Sequence, residues 1–533
     1  MPRNGSWKTT RANCKHARHG QAGADAIPEA MNATPELIRN LHDPACYDHA
    51  AEPVRVIETH ISHVLLTGEF AYKIKKPLNL GFLDFSSLDK RLHACRDEVR
   101  LNRRLAPAVY LDVVPIAGSP AAPRINGAGA AFEYAVKMRQ FPPDATLDRL
   151  DAQGQMSARQ VETIANTIAR FHLQGCARAA EGQPWGSPDA IRQPVAQNFL
   201  QIAPHLEAAA DRRQLDALRR WSDAEHARLA PLMAARKRDG FVRECHGDLH
   251  LGNLAWVDDR LLVFDCLEFN PELRWIDIQS EAAFAYMDLL QRGHADWAWL
   301  FLNAWLEQTG DYAGLALLRY YAVYRALVRA KVAAIRSGQT AGPERAAALA
   351  ETRALLELAT ALTQPRPLRL DVTHGLSGSG KTTVTRALMQ VPGAIRLRSD
   401  VERKRQAGLD ALARSGSGVG AHLYAADATR QTYRHLADLA GQLLGAGWPV
   451  IVDATFTARW QRELLRETAR ARRVEFHILD FPVAAATLRE RIVRRSRTGN
   501  DASEADLAVL QHQLDTEEPL GSDEQADIIS IDQ

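Results

Sequence analysis

The sequence predicts an α+β domain of two lobes over residues 31–362, followed by an α/β domain on a parallel sheet over 368–533. Three observations predict it. Strand-like alternation is confined to about 55–141, and helical spacing of apolar residues takes over from about 157 to 361, with one short β interruption at 241–268. The segment TQPRPLRL (363–370) holds two prolines that cannot continue a helix, which makes it the boundary. Beyond it, apolar strands alternate with helices, as a parallel sheet requires.

The elements follow in order. Residues 1–30 are basic and polar and lack an apolar run, so a disordered arm is expected rather than a signal peptide. Met31 is an alternative start, ahead of a helix capped by Asn32 or Thr34. RVIETHISHVLLTGEFAYKIKKP reads as a β-hairpin turning at Thr67-Gly68. A helix from about Ser87 carries Leu88, Leu92, Cys95, Val99, Leu101 and Leu105 on a broad apolar face. YLDVVPIAG and AAFEYAVKMRQF are further strands. In SARQVETIANTIARFHLQG, Val161, Ile164, Ile168 and Phe171 recur at helical spacing. After the boundary, LRLDVTHG, AIRLRSD, PVIVDATF and VEFHILDF are the strands, a long helix lies near 421–446, and LARSGSGVGAH (412–422) is a loop.

Composition narrows the function classes. Hydrophobic residues make up 46% and charged residues 24%, the balance of a globular protein. A formal net charge of +2 gives no overall drive toward nucleic acid or an anionic membrane. No window of 18 apolar residues exists, so no membrane span is expected. The six cysteines form no CxxC pair, which suits reduced thiols in a cytoplasm.

Two motifs carry chemistry. GLSGSGKT, Gly375 to Thr382, fits G-x-x-x-x-G-K-[ST] between an apolar strand and a helix. Its residues Gly375, Ser377, Gly378, Ser379, Gly380, Lys381, Thr382 and Thr383 are the expected nucleotide contacts. The glycines let backbone N–H groups turn toward phosphates, and the helix N-terminus adds positive potential. Lys381 is expected at the β/γ-phosphates of ATP and the Thr382 hydroxyl on Mg²⁺. Asp453, closing PVIVDATF, is a further candidate near the metal. Asp400, closing AIRLRSD, is expected either to accept a proton from an attacking hydroxyl or to hold Mg²⁺. Arg403 is a candidate for an acceptor's phosphate or carboxylate. Asp400 and Asp453 also fit simple caps at the ends of strands. Arg491 and Arg495 belong to a basic helix that reads equally as a lid or as a solvated face, followed by a polar loop and a new helix cap at Ser503.

CHGDLHLGNL is the second motif. Asp248 suits the acceptor hydroxyl, while Asn253 and Asp265 (in LLVFDCLEF) supply oxygen ligands for metal. His246 reads as a brace for the loop. The order H-x-D-x-x-x-x-N, strand, Asp is that of kinase catalytic loops.

With HGD in place of the arginine-containing form, this half resembles the aminoglycoside phosphotransferase and choline kinase branch of the protein-kinase-like fold. The resemblance implies that Lys73, or Lys75 on the same strand face, meets the phosphates with Glu98 as its partner. It also implies that EYAVKMRQF is the hinge beside adenine and that Asp277 starts a large-lobe helix. The pattern departs in two places: no glycine-rich loop joins the first strands, where only Gly68 stands at the turn, and Asp265 is followed by Cys-Leu. An aminoglycoside pocket needs clustered carboxylates; Glu268, Glu272 and Asp277 are on hand, but such acids equally suit simple helix starts. The other half resembles P-loop NTPase domains of the polynucleotide-kinase and zeta-toxin type, often labelled AAA. Together the halves resemble the bacterial bifunctional aminoglycoside phosphotransferase/ATP-binding proteins. The resemblance implies a tandem ATP- and Mg²⁺-dependent phosphotransferase acting on small-molecule hydroxyls. Two alternatives compete with it. One is a regulatory ATP-binding protein with a degenerate kinase-like domain and a P-loop switch. The other, less favoured, is a C-terminal kinase for nucleic-acid 5′-hydroxyls, to which RKRQAG, RETARARR and RIVRRSR lend basic clusters.

Overall fold

The structure, a computed structural model, describes residues 29–79, 83–411, 413, 425–498 and 505–531, without the side chains of 29–33, 392 and 495–498. The N-terminal arm through residue 28, most of the 412–422 loop, the Arg495 side chain and Ser503 lie outside the described residues; the first helix opens at Glu29, so Asn32 and Thr34 stand inside it rather than capping it.

The small lobe begins with α1 (Glu29–Asn40) and then builds one antiparallel sheet. Its strands are β1 (Arg55–Glu58), β2 (Ser62–Leu66), β3 (Phe70–Lys75), β4 (Tyr110–Ser119), β5 (Ala122–Ile125) and β6 (Ala131–Arg139), in the order β1-β2-β3-β6-β4-β5. Helix α2 (Leu88–Asn102) crosses between β3 and β4, and Ser87 caps it by accepting from Lys90 N. The expected hairpin is therefore two hairpins. The extra turn at 59–62 is made by a threonine: Thr59 Oγ1 accepts from Ser62 N at 2.9 Å and donates to Ser62 O at 3.0 Å. A side chain here does what Gly or Pro usually signals, so the break is silent in the sequence.

The large lobe is helical around a β insert. It comprises α3 (Leu147–Ala152), α4 (Ala158–Arg170), α5 (Pro188–Ile202), α6 (Ala209–Arg238), β7 (Val242–Glu244), β8 (Leu254–Val257), β9 (Arg260–Val263), α7 (Pro271–Arg274), β10 (Trp275–Asp277), α8 (Ile278–Gln291), α9 (Ala295–Thr309), α10 (Leu315–Gln339) and α11 (Gly342–Thr363). Ser157 and Gln160 close α4 with a capping box. Strand β10, unforeseen, pairs antiparallel with β7 and positions Asp277 to start α8. Sheet lobe, crossing helix and helical lobe together make the bilobal protein-kinase-like fold.

The C-terminal domain comprises β11 (Arg369–His374), α12 (Lys381–Leu388), β12 (Ile395–Arg398), α13 (Ser399–Gln406), α14 (Ala426–Gly445), β13 (Val450–Asp453), α15 (Arg459–Arg472), β14 (Glu475–Asp480), α16 (Ala485–Thr498), α17 (Leu507–Thr516) and β15 (Ile528–Ser530). All five strands are parallel, in the order β12-β13-β11-β14-β15. Two expectations are corrected. Strand β12 stops at Arg398 and Ser399 opens α13, so Asp400 stands in a helix's first turn rather than at a strand end. The cap of α17 is Asp506, which accepts from Val509 N at 2.8 Å, rather than Ser503.

The two domains share one apolar core, continuous from Leu147 to Ile478. β12 is an edge strand and would expose unpaired backbone groups. Helix α9 covers it: Asn303 Nδ2 donates to Ala394 O at 2.9 Å, and Asn303 Oδ1 accepts from Arg396 N at 2.7 Å. One amide side chain thus substitutes for a neighbouring strand. One turn on, Glu307 accepts from Arg396 Nη2 at 2.7 Å. Trp299 meets Trp448 edge-on with centroids 5.9 Å apart.

Candidate active sites

In the N-terminal domain, residues two apart on β3 share a face. Lys73 and Lys75 therefore both point at α2. Lys73 Nζ donates to Glu98 Oε1 at 2.8 Å and to Asp265 Oδ1 at 2.5 Å. Lys75 Nζ bonds the other Glu98 oxygen, Oε2, and Glu268 Oε1. Lys75 and Glu98 are both 0% exposed, so neither is a solvated surface group. Burial disfavours every charge here, and alternation of sign offsets it. Burial pushes Glu98 up, but the two ammonium groups outweigh it and hold the carboxyl below its usual range. For Glu268 burial wins over Lys75, and its pKa is raised.

Asp265 sits in the left-handed region at φ 61°, a conformation Asp tolerates better than most residues. Its N–H donates to Tyr110 Oη at 3.1 Å, and the next N–H, of Cys266, donates to Asn102 Oδ1 at 2.9 Å. Helix α2 therefore fixes both the lysine partner and the strand-end aspartate. The Asp265 side chain remains 46% exposed.

The 246–253 loop is clamped through its backbone. Gly247 has φ 91°, and a Cβ there would lie 2.8 Å from Leu273 O, so only glycine fits. Gly247 N donates to Glu281 Oε1 at 2.6 Å, and Gly247 O accepts from Arg325 Nη1 at 3.2 Å. His246 Nδ1 accepts from Asp248 N, so Nε2–H donates to Phe264 O at 2.8 Å. Asn253 Nδ2 donates to both Asp248 O and Asp248 Oδ2 at 3.0 Å. Burial pushes Asp248 up, but His250, with Nε2 3.4 Å from Oδ2, overrides it and holds the carboxyl well below its usual range. His250 was not singled out in the sequence, although its position two residues after Asp248 is the available signal. His172, Cys245 and Glu281 also converge, but the polar side chains are consumed. Trp305 Nε1 donates to His172 Nδ1, and His172 Nε2 meets Glu281 at 2.8 Å, making a brace under the loop.

The acids expected to form a polycation pocket do not gather. Glu268 is buried against Lys75, Asp277 is buried in a bidentate pair with Arg236, and Glu272 is exposed on α7.

In the C-terminal domain a cavity of about 650 Å³ opens over the 375–382 loop. Ser377, Gly378, Gly380, Lys381, Thr382 and Thr383 line it from the loop and α12, Asp400 and Arg403 from α13, and Asp453 from β13. Gly375 and Ser379 lie behind its wall, where Lys381 Nζ donates to Gly375 O at 2.7 Å and to Ser379 Oγ at 3.2 Å. Asp453 Oδ2 accepts from Thr385 Oγ1 at 3.1 Å, one turn beyond Thr382. Arg403 Nη1 is 3.5 Å from Asp400 Oδ1. From the far side Arg491 donates to Gly378 O at 3.4 Å, and Gln513 Oε1 accepts from Ser377 N at 2.9 Å. Gln513 comes from α17, 136 residues downstream, and no local pattern marks it.

A family model described as an AAA domain matches residues 370–520. Among solved structures, choline kinase from Cryptosporidium parvum Iowa II is 10% identical, covering 62% of this chain and 96% of that one with a TM-score of 0.38. An aminoglycoside phosphotransferase from Alicyclobacillus acidocaldarius is 15% identical, covering 65% and 96% with a TM-score of 0.35. A sugar kinase from Janibacter sp. HTCC2649 is 23% identical, covering 31% and 85% with a TM-score of 0.24. Uncharacterized protein Rv2004c of Mycobacterium tuberculosis and Uncharacterized protein Mb2027c of Mycobacterium bovis are each 30% identical over 485 residues, 89% of this chain and 94% of theirs. The chain belongs to one family with these mycobacterial proteins, joining a kinase-like bilobal domain to a C-terminal AAA domain.

Proposed function

We propose that the chain is a tandem phosphotransferase, each domain using Mg·ATP to phosphorylate a hydroxyl of a small-molecule acceptor. The observation that carries the reading is Lys73 bridging Glu98 and Asp265, with Asp248, bonded to Asn253, near enough to bear electrostatically on Asp265. Lys73, oriented by Glu98, binds the nucleotide's phosphates. Asn253 and Asp265 offer hard oxygen donors, which fit Mg²⁺. Asp248, ionised because His250 stabilises the carboxylate, orients the acceptor hydroxyl and takes its proton. Among the described residues no glycine-rich loop covers this site. The β2–β3 turn is closed instead by Thr67, whose N–H and Oγ1 both donate to Phe70 O.

In the second site the backbone N–H groups of 377–383 and Lys381 hold phosphates, and Thr382 and Asp453 fit the metal. Asp400 and Arg403 face the same cavity and serve the acceptor. Bound Mg²⁺ supplies neutralisation of phosphate charge at both sites. No helix among the described residues is long and apolar enough to cross a membrane.

The test is transfer of the labelled terminal phosphoryl group of ATP into a metabolite extract. Two labelled products are expected. Asp248→Ala removes one and Lys381→Ala the other. Products that survive both substitutions reject the reading.

A further inference from the structure

Helix α10 brings two arginines to the loop that holds Asp248. Arg325 is a structural clamp: its Nη1 donates to Gly247 O, while Nε and Nη2 donate to Ser280 O and Oγ, each at 3.2 Å. Arg329 follows four residues later, on the same face one turn on. It is close enough to bear electrostatically on both Asp248 and His250. Unlike Arg325, it makes no hydrogen bond or ion pair among the described residues, and its buried Nε has no acceptor. A half-buried guanidinium is costly to leave unsatisfied, because each desolvated donor lacks a partner.

The neighbouring acids do not serve it. Asp288 accepts from Leu251 N at 2.9 Å and Arg292 Nε at 3.1 Å, and Asp151 is held by His294 at 2.6 Å. Glu281 is spent on His172 and Gly247. Asp148 alone offers a polycation something near this loop. Its buried Oδ1 has no partner, and a Cβ on Gly252 would lie 3.7 Å from its Oδ2.

We infer that Arg329 is the anion-recognition residue of the N-terminal acceptor site, which takes a hydroxylated carboxylate or phosphate ester rather than a polycation. The inference rests on phosphoryl transfer at Asp248. The acceptor's anionic group pairs with Arg329 while its hydroxyl meets Asp248. Specificity then comes from the Arg329 guanidinium, since Asp288, Asp151 and Glu281 are already paired and only Asp148 keeps an unpartnered oxygen.

The experiment uses the full-length chain with Lys381→Ala, so that ATP turnover reports on the N-terminal site. Hydroxylated metabolites are offered in three groups: carboxylates and phosphate esters, neutral polyols, and aminoglycosides. Turnover with the anionic group is expected. Arg329→Gln should raise KM for those acceptors about 10- to 100-fold with kcat nearly unchanged, and Arg329→Lys should restore part of it. Preference for polyols or aminoglycosides, or an unchanged KM in Arg329→Gln, overturns the inference. If no compound is turned over, the transfer reading itself fails. Calorimetric titration of the Lys381→Ala chain with inorganic phosphate then decides the site: binding lost in Arg329→Gln supports it, and no Arg329-dependent binding overturns it.

Discussion

Lys75→Met separates two readings of the small lobe most sharply. A solvated lysine replaced by methionine changes stability by about 0.5 kcal/mol or less. In the structure Lys75 is the counter-cation of Glu98 Oε2 and Glu268 Oε1, on side chains 0% and 3% exposed. Removing one partner of a buried pair costs about 3–5 kcal/mol, because the other charge stays desolvated. Unfolding entropy of about 2.1 cal/mol/K per residue over a domain of roughly 330 residues converts this to a fall in Tm of about 4–7 °C. Glu268→Met added to Lys75→Met should recover most of the loss, since no unpaired charge remains at that corner. The loss also has a pH signature. Without Lys75 the two buried carboxyls have raised folded pKa values, so the variant is least impaired at low pH and loses stability as pH rises. Scanning calorimetry at pH 5 and pH 8 reads both effects. A Tm within about 1 °C of wild type at pH 8, or a double variant worse than the single one, would refute the reasoning.

Other perturbations follow the same logic. Burial opposes protonation of His250, but Asp248 overrides it and raises the imidazole above its ordinary 6.5. The stability it contributes is complete below about that value and is lost as pH rises through the folded pKa. His250→Gln should abolish this alkaline slope in melts between pH 6 and 9; an unchanged slope contradicts the pairing. Asn303→Ala strips partners from Ala394 O and Arg396 N and should cost about 2–5 kcal/mol of domain docking. Faster proteolytic cleavage near 363–368 would register it, and a wild-type cleavage rate would count against the edge-strand account.

What the sequence disclosed was whatever is local. The 375–382 loop declares its conformation through glycines at φ 88° and 86° (Gly378 and Gly380), and Asp248, Asn253 and Asp265 lie within 18 residues of one another. Ser87 and Ser157 announce their helices by capping. Long-range pairing was silent. Lys75 looked like one more basic residue in KIKKP, and its partner Glu268 is 193 residues away. Strand β10 lay hidden because three residues give no alternation to read. The docking of β12 on α9 depends on Asn303, a single amide in an otherwise apolar helix. Glu268, Glu272 and Asp277 could be read either for a polycation pocket or for helix starts, and Asp277 caps its helix: composition reveals charge, but only the fold reveals which charges are already paired.

The central claim is that one chain grips nucleotide at two independent places, and counting bound nucleotide tests it most directly. Calorimetric titration with Mg²⁺ and a non-hydrolysable ATP analogue should give two equivalents for the wild-type chain. Lys381→Ala and Asp265→Asn should each leave one, and the double variant none. A single equivalent in the wild type, or two retained in either variant, contradicts the account.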